Sequence, residues 1–176
     1  MKIGLCGTMS VGKTTLVNAL KDLPEFKNYI TRTERSKELM AMGIPLNTDS
    51  TFLGQTVFMA ERANELLIDN IITDRTIIDV MAFAQASKSI DWADKEAFYA
   101  YAIRLIKEYD YIFYVSPEGV EIEDNGIRET DAEYRNEIDI IIRHILGQQK
   151  HRIKNYGVLE GSTEERIKQM LEVISL

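Results

Sequence analysis

The sequence predicts an α/β fold, a five-stranded parallel sheet with helices on both faces. Three observations lead there. Short β-type runs alternate with longer helical stretches along the whole chain, and that alternation makes crossover helices between parallel strands. The first run passes through a glycine-bounded turn, "GTMSVGKTT" (7–15), directly into an apolar helical stretch. Near the other end, Ser162-x-x-Glu165 has the spacing of a capping box, in which each side chain satisfies the other residue's backbone N–H and so starts a helix.

Taken in order, residues 2–6 form the first strand and 13–22 the first helix, with the glycine-bounded turn between them. A strand over 27–31 and helices over 34–42 and 51–68 follow. The β-type run 70–73 ends against Asp74, and helices over 77–87 and 93–109 lead to a strand over 111–116. The next stretch, "SPEGVEIEDNGIRETDAEYRNEID", is too long and polar for a simple connector. A long helix over 131–156, a strand over 157–160 and the capped helix 163–174 complete the chain. No repeat, low-complexity tract or Pro/Gly/Ser-rich linker divides it, so residues 1–176 read as one domain with a lid segment around 117–135.

Composition narrows the function. An apolar fraction of 45% and a charged fraction of 28% are those of an ordinary globular protein. No apolar run approaches the roughly 20 residues that span a bilayer, and the glycine-bounded turn comes too early to leave room for a signal peptide. Cys6 is the single cysteine, so an intramolecular disulfide is excluded and a cytoplasmic setting is expected. The formal net charge of −7 argues against a grip on long nucleic acid, which needs many cations on phosphates. Within residues 26 to 37, however, Lys27, Arg32, Arg35 and Lys37 stand against Glu34 alone. A basic pocket on an acidic body suits a small anionic ligand.

The turn at 7–15 fits Gly-x-x-x-x-Gly-Lys-Thr, the phosphate-binding loop that follows the first strand of nucleotide-using folds. Gly7 and Gly12 let backbone N–H groups approach phosphate oxygens, and the helix behind them directs its positive dipole end at the same anion. Gly7, Thr8, Ser10, Val11, Gly12, Lys13, Thr14 and Thr15 are the candidate donor-binding residues. Lys13 neutralises the β- and γ-phosphates, and the Thr14 hydroxyl coordinates Mg²⁺. A second metal-side acid is expected at a neighbouring strand end, and Asp74 supplies it. Asp74 also reads as a cap of the following helix, and both roles stay open. Arg75, next in the chain, is a substrate-binding candidate.

A GTPase switch needs Asp-x-x-Gly after the metal-side strand and an Asn/Thr-Lys-x-Asp guanine reader. Asp74 is followed by Arg-Thr-Ile, and no such Lys-x-Asp segment occurs. A kinase needs an acceptor site and a covering segment with arginines. Arg128 and Arg135 in the polar segment are candidates to stabilise the transferring phosphoryl group, or pair on the surface with Glu129, Asp131 or Glu133.

Together, "GTMSVGKTT", "TDR" at the third strand, "DNGIR" in the polar segment and "LEGSTEER" near the end resemble the P-loop kinases. More narrowly they resemble the AAA-labelled, NadR-like group that includes nicotinamide riboside kinase domains and many phage kinases. The resemblance implies the P-loop nucleoside triphosphate hydrolase fold with strand order 2-3-1-4-5, ATP as donor, Mg²⁺, and a nucleoside or nucleotide acceptor. It also implies an adenine site at the last strand–helix turn, Gly161 and Ser162.

The acceptor candidates follow the second strand, at the edge where ligand crevices open in parallel sheets. Glu34 is similar in place to the general base of deoxynucleoside kinases, while Arg32, in Thr31-Arg32, resembles the arginine that binds an acceptor monophosphate in thymidylate kinases, and Arg35 beside it is a further substrate-binding candidate. The Pro-Gly-Gly that follows in thymidylate kinases is missing. Glu34 or Asp74 therefore stands as the base. On the helix over 51–68, Gln55 reads either as a base-edge reader or as a solvated amide. Phe52 and Phe58 read either as flanking a base or as core, and Phe98, Tyr99 and Tyr101 read as packing. His144 and His151, seven apart on the long helix, show no partner ligands for a metal. The expected activity is ATP-dependent, Mg²⁺-requiring phosphoryl transfer to a nucleoside or nucleoside monophosphate. The alternatives are a kinase of nucleic-acid ends or modified bases and a non-catalytic ATP sensor. A homodimer is compatible with the sequence, and no membrane contact is expected.

Overall fold

Lys2–Cys6 (β1) lies at the centre of an all-parallel sheet, hydrogen-bonded to Ile71–Asp74 (β3) on one side and Tyr111–Val115 (β4) on the other. Ile30–Arg32 (β2) pairs with β3, and Tyr156–Leu159 (β5) pairs with β4, giving the order 2-3-1-4-5. The computed structural model describes residues 1–33, 35–120 and 132–175, Lys37 by its backbone only. The helices are Lys13–Lys21 (α1), Ser36–Ala41 (α2), Phe52–Glu65 (α3), Ile77–Ala86 (α4), Trp92–Ala102 (α5), Ala132–Gln148 (α6) and Thr163–Ile174 (α7). Among the described residues, no helix is long and apolar enough to cross a membrane.

Strand alternation divides the core in two. Ile3 and Leu5 of β1, Phe113 and Val115 of β4 and Leu159 of β5 pack with Leu16, Val17 and Leu20 of α1 and Met170 and Ile174 of α7. On the opposite face Cys6, Ile112 and Tyr114 meet the apolar sides of α4 and α6. Helix α4 is buried along most of its length, which is why its sequence, "IIDVMAFAQA", is nearly continuously apolar. Because β1 is flanked by β3 and β4, the turns after β1 and β3 leave the same end of the sheet side by side. That juxtaposition creates the site.

The observed elements depart from the sequence expectation mostly at their ends. The helix expected over 131–156 stops at Gln148, and a short 3₁₀ turn, Lys150–Arg152, leads into β5. The chain has to turn back there to place Tyr156 beside Ile112. Consequently His144 and His151 do not share one helix. The helix expected over 93–109 becomes 3₁₀ from Ile103 to Glu108, and Tyr109 turns inward so that its hydroxyl accepts a hydrogen bond from the Ile77 N–H at 3.1 Å. The second strand starts at Ile30 rather than 27, because a 3₁₀ turn, Pro24–Phe26, occupies the approach.

Gly4, in the central strand, has no room for a side chain. An added Cβ would lie 2.5 Å from Thr76 Cγ2 and 2.8 Å from the fully buried Tyr109 ring. Gly4→Ala is expected to lower the unfolding free energy by about 1–3 kcal/mol, the usual cost of overpacking a filled core. Urea unfolding at equilibrium measures it, with the m-value unchanged.

Candidate functional site

The turn between β1 and α1 is held by side chains that come from well separated parts of the chain. Lys13 folds back so that its Nζ donates to the carbonyls of Gly7 (2.7 Å) and Thr8 (2.6 Å). From α6, Arg135 donates through Nε to the Met9 carbonyl at 3.2 Å and through Nη2 to that of Ser10 at 3.4 Å. From α7, the buried Arg166 donates through Nη1 to the Val11 carbonyl at 2.6 Å and through Nη2 to Ser116 at 3.3 Å. Burial lowers the pKa of both guanidiniums from its ordinary value. Five successive carbonyls, 7 to 11, are thus claimed by three cations. With its carbonyls turned to these cations, the loop keeps N–H groups for an anion. Gly12 caps α1 with φ +84° and contributes no side chain, so nothing competes for the first-turn amides. An added Cβ on Gly7 (φ +151°) would sit 2.7 Å from the Val115 carbonyl oxygen, so the loop's close approach to β4 requires glycine there.

Individual loop side chains divide by role. The Thr8 hydroxyl donates to the Arg135 carbonyl at 2.8 Å, tying the loop to α6 a second time. Val11 packs into the core, Ser10 is buried at φ +55°, and Thr15 is exposed. The Thr14 hydroxyl donates to a carboxylate oxygen of Asp74, which is itself buried at the end of β3. Two hard oxygen donors side by side at the mouth of the loop suit Mg²⁺, which takes one or two protein oxygens and completes its shell with phosphates and water. Among the described residues, no cluster of three or more His, Cys, Asp or Glu could hold a metal without a ligand.

Asp74 does not cap α4. Thr76 does, its hydroxyl accepting from the Ile78 N–H at 3.1 Å, and Asp79 completes a capping box by accepting from the Thr76 N–H at 2.7 Å. Asp79 is fully buried, and its other oxygen accepts from the Gly7 N–H at 3.1 Å and lies 4.0 Å from Arg75 Nη1. Arg75 adopts φ +83° and lays its guanidinium 4.8 Å over the Phe83 ring. Beneath the turn, buried Arg62 donates to the Asp74 carbonyl at 3.3 Å and pairs with Glu65 at 2.8 Å.

Arg75 of this turn also lines a pocket, together with Ser36, Asn47, Gln55, Phe58 and Phe83 among others. Gln55 is 3% exposed, and among the described residues its carboxamide makes no hydrogen bond. Gln55 is therefore no solvated amide. Phe58 lines the pocket, whereas Phe52 lies 40% exposed in edge contact with Phe98. Arg32 is exposed at the end of β2, and Arg35 pairs with Glu38 and Glu61, the latter at 3.0 Å. Glu34 and Arg128 lie outside the described residues, as does 121–131 of the expected lid. Gly161 (φ +82°) and Ser162 form the turn between β5 and α7, where Ser162 and Glu165 make the expected capping box. The Ser162 backbone and hydroxyl hold the Glu165 carboxyl below its usual pKa. One turn further along α7, Arg166 reaches the phosphate loop, which places Gly161 and Ser162 close behind it.

The sequence assigned no role to Arg62, although it stands on the same helix as Gln55, and it did not single out Asp79, Phe83 or Arg166. The Thr76-x-x-Asp79 spacing was a usable sign of the capping box, but no local pattern announces its bond to Gly7.

A family model described as "AAA domain" matches residues 2–166. No curated protein sequence matches the chain closely enough to count as a relative. Solved structures do. Deoxyadenosine kinase from M. mycoides, bound to dCMP and dCDP, aligns with TM-score 0.67 and 16% identity over 99% of this chain and 98% of its own. The NadR protein in complex with NR aligns with TM-score 0.76 and 18% identity over 99% of this chain and 51% of its own. YorR from Bacillus subtilis, in complex with phosphorylated GDP, aligns with TM-score 0.63 and 19% identity over 99% and 95%. The fold is that of the P-loop nucleoside and nucleotide kinases.

Arg166→Met keeps the volume of the α7 side chain and removes its two hydrogen bonds to carbonyls. Stability is expected to fall by about 1–3 kcal/mol, because the Val11 and Ser116 oxygens lose a charged donor. Affinity for a fluorescent ATP analogue, titrated under conditions where the variant is folded, is expected to fall with it.

Proposed function

The chain belongs to the AAA-domain family, and from that premise we propose that it is a kinase passing the γ-phosphoryl group of ATP to a nucleoside or nucleoside monophosphate. One observation carries the reading: the pocket containing Gln55 shares the Asp74–Arg75 turn with the phosphate loop. A hydrolytic switch or a sensor has no use for a second built pocket there. The structural neighbours, a deoxyadenosine kinase with dCMP and dCDP, NadR with NR and YorR with phosphorylated GDP, support the same class of acceptor.

On this reading the loop amides and Lys13 hold the triphosphate, and Arg135 stands over the loop to meet charge on the transferring group. Thr14 and Asp74 would hold Mg²⁺, which when bound neutralises phosphate charge. The acceptor oxygen attacks the γ-phosphorus and the bond to the leaving ADP oxygen breaks. With a nucleoside, the proton lost by the hydroxyl goes to a carboxylate, Glu34 or Asp74. With a monophosphate the attacking oxygen is already anionic, and Arg32 or Arg35 would hold that phosphate. Gln55 offers a donor and an acceptor to the edge of a base, Phe58 and Phe83 offer apolar surface to its faces, and Arg75 lies beside them. Gly161 and Ser162 are the proposed adenine-side residues.

The test is a transfer screen with labelled ATP over nucleosides, their 5′-monophosphates, nicotinamide riboside and oligonucleotides. One or more of the first three classes is expected to be phosphorylated. Lys13→Ala is expected to remain folded by circular dichroism and to lose at least about 100-fold in turnover, the scale of one major electrostatic stabiliser.

Gln55→Leu separates recognition from stability. Gln55 is only 3% exposed, and a leucine of similar size is expected to leave thermal unfolding near that of wild type. KM for the acceptor is expected to rise about 10–100-fold, because a paired base edge loses its hydrogen bonds. Thermal unfolding and steady-state kinetics together check both.

A further inference from the structure

Arg62 lies on the buried face of α3, 2% exposed, and the phosphoryl-transfer scheme above does not use it. Taking a guanidinium out of water costs free energy that a packed apolar side chain in the same place does not. Its donors show what it does there. Nη2 donates to Glu65 Oε1 at 2.8 Å, Nε lies 2.8 Å from Oε2 of the same carboxylate, and Glu61 stands 3.9 Å away. That pairing leaves Nη1, which donates to the main-chain carbonyl of Asp74 at 3.3 Å.

The sheet explains why that carbonyl needs a donor from a helix. The peptide joining Asp74 to Arg75 gives its N–H to the Leu5 carbonyl of β1 at 2.9 Å. In a trans peptide the C=O points the opposite way, here toward β2. The β2–β3 ladder ends at Arg32 and Thr73, one residue too early to reach it. Arg62 supplies the donor that a longer β2 would have supplied. The last peptide of β3 is thereby held from both sides, by β1 and by α3. Regular strand geometry gives no support beyond it, because Arg75 turns away at φ +83°. The Asp74 carboxylate, in contact with the Thr14 hydroxyl, is carried on this same peptide.

From this geometry we infer that Arg62 is a positioning residue, fixing the Asp74 main chain so that its carboxylate faces Thr14, where Mg²⁺ would be held. It touches neither substrate nor metal. Groups behind a metal's ligands set the ligands' orientation, and losing one typically costs about 10–100-fold in metal affinity. The inference rests on the metal-side part of the kinase reading. It adds the support behind that part, a buried Arg62–Glu65 pair brought by α3.

Three variants test it. Arg62→Met removes the donor and leaves Glu65 buried without its cation. Arg62→Met combined with Glu65→Met removes the whole pair, so that no charge is left buried alone and the fold is kept. Leu146→Ala opens the core about three turns along α6 from Arg135 and serves as a destabilised control. Thermal unfolding is measured on each, and binding of a fluorescent ATP analogue is titrated with Mg²⁺ and with EDTA in its place, at a temperature where each variant is folded. In the wild type Mg²⁺ is expected to tighten binding. Both Arg62 variants are expected to lose about 10-fold of that gain and to keep the wild-type affinity in EDTA. Leu146→Ala is expected to unfold earlier than wild type and to keep the gain in full. If the double variant keeps the wild-type gain, or if Leu146→Ala loses it as well, Arg62 serves stability alone and the inference is overturned. An equal loss in EDTA also overturns it, since the loop rather than Asp74 has then moved. A wild type that gains nothing from Mg²⁺ sinks the Thr14–Asp74 metal reading, and the inference falls with it. A wild type that shows the gain but transfers no phosphoryl group sinks the kinase reading alone, and the binding titrations still decide the role of Arg62.

Discussion

The site depends on turning the carbonyls of residues 7 to 11 away from the ligand and satisfying them where they point. A tight loop cannot offer its N–H groups to one side without sending its C=O groups to the other, and a buried carbonyl without a donor costs free energy comparable to a lost hydrogen bond. Lys13, Arg135 and Arg166 meet that need from the loop itself, from α6 and from α7. An anion-binding surface therefore exists before any anion arrives. Because two of the three cations come from the last third of the chain, the loop is complete only when the whole sheet is assembled.

Holding charged groups in this way carries a desolvation penalty, and the fold meets it by pairing. Arg62 faces Glu65, Arg75 faces Asp79, and Arg143 faces Asp139, whose carboxylate also accepts from the Tyr114 hydroxyl at 2.6 Å. Removing Arg62 leaves the buried Glu65 carboxylate without its hydrogen-bonded cation. The apolar layers on both sheet faces supply the stability against which these networks and the strained backbone at Ser10 and Arg75 are held. Rigidity at the site and packing in the core are thus one property of the sheet.

Legibility in the sequence followed the range of the interactions. The parallel sheet and the loop were readable because strand alternation, the glycine-bounded turn and the lysine act over a dozen residues or fewer, whereas the strand order came only from the resemblance to P-loop kinases. Thr14 and Asp74, 60 residues apart, were readable only because both carry a known metal-side role, and the structure does bring them into contact. Arg166 was not readable, since nothing near it in the chain shows that its helix face meets Val11, 155 residues away. Gln55 stood undecided until burial was known, because an amide on a helix looks the same whether it faces water or a pocket. The ends of α5 and α6 were misjudged for a related reason. Helical propensity continues past Ala102 and Gln148, but Tyr109 and Tyr156 are required elsewhere by the sheet.

The basic window at 26 to 37 shows how a local charge count changes in three dimensions. Arg35 meets Glu38 one turn along and Glu61 from α3, and burial raises the pKa of the Glu65 carboxyl, with Arg62 and, more weakly, Arg32 pulling against that rise. Two acids from α3 and one from α2 thus stand among the cations that the window supplied. On the kinase reading, an acceptor phosphate there would have to draw Arg35 away from two carboxylates, whereas a base entering beside Gln55 displaces no existing hydrogen bond of that side chain. Coulomb attraction at an exposed, already paired arginine is weak and screened by salt. On the proposed kinase reading, recognition at this edge would fall chiefly to the buried amide and the aromatic faces around it, whose contribution grows as water is excluded.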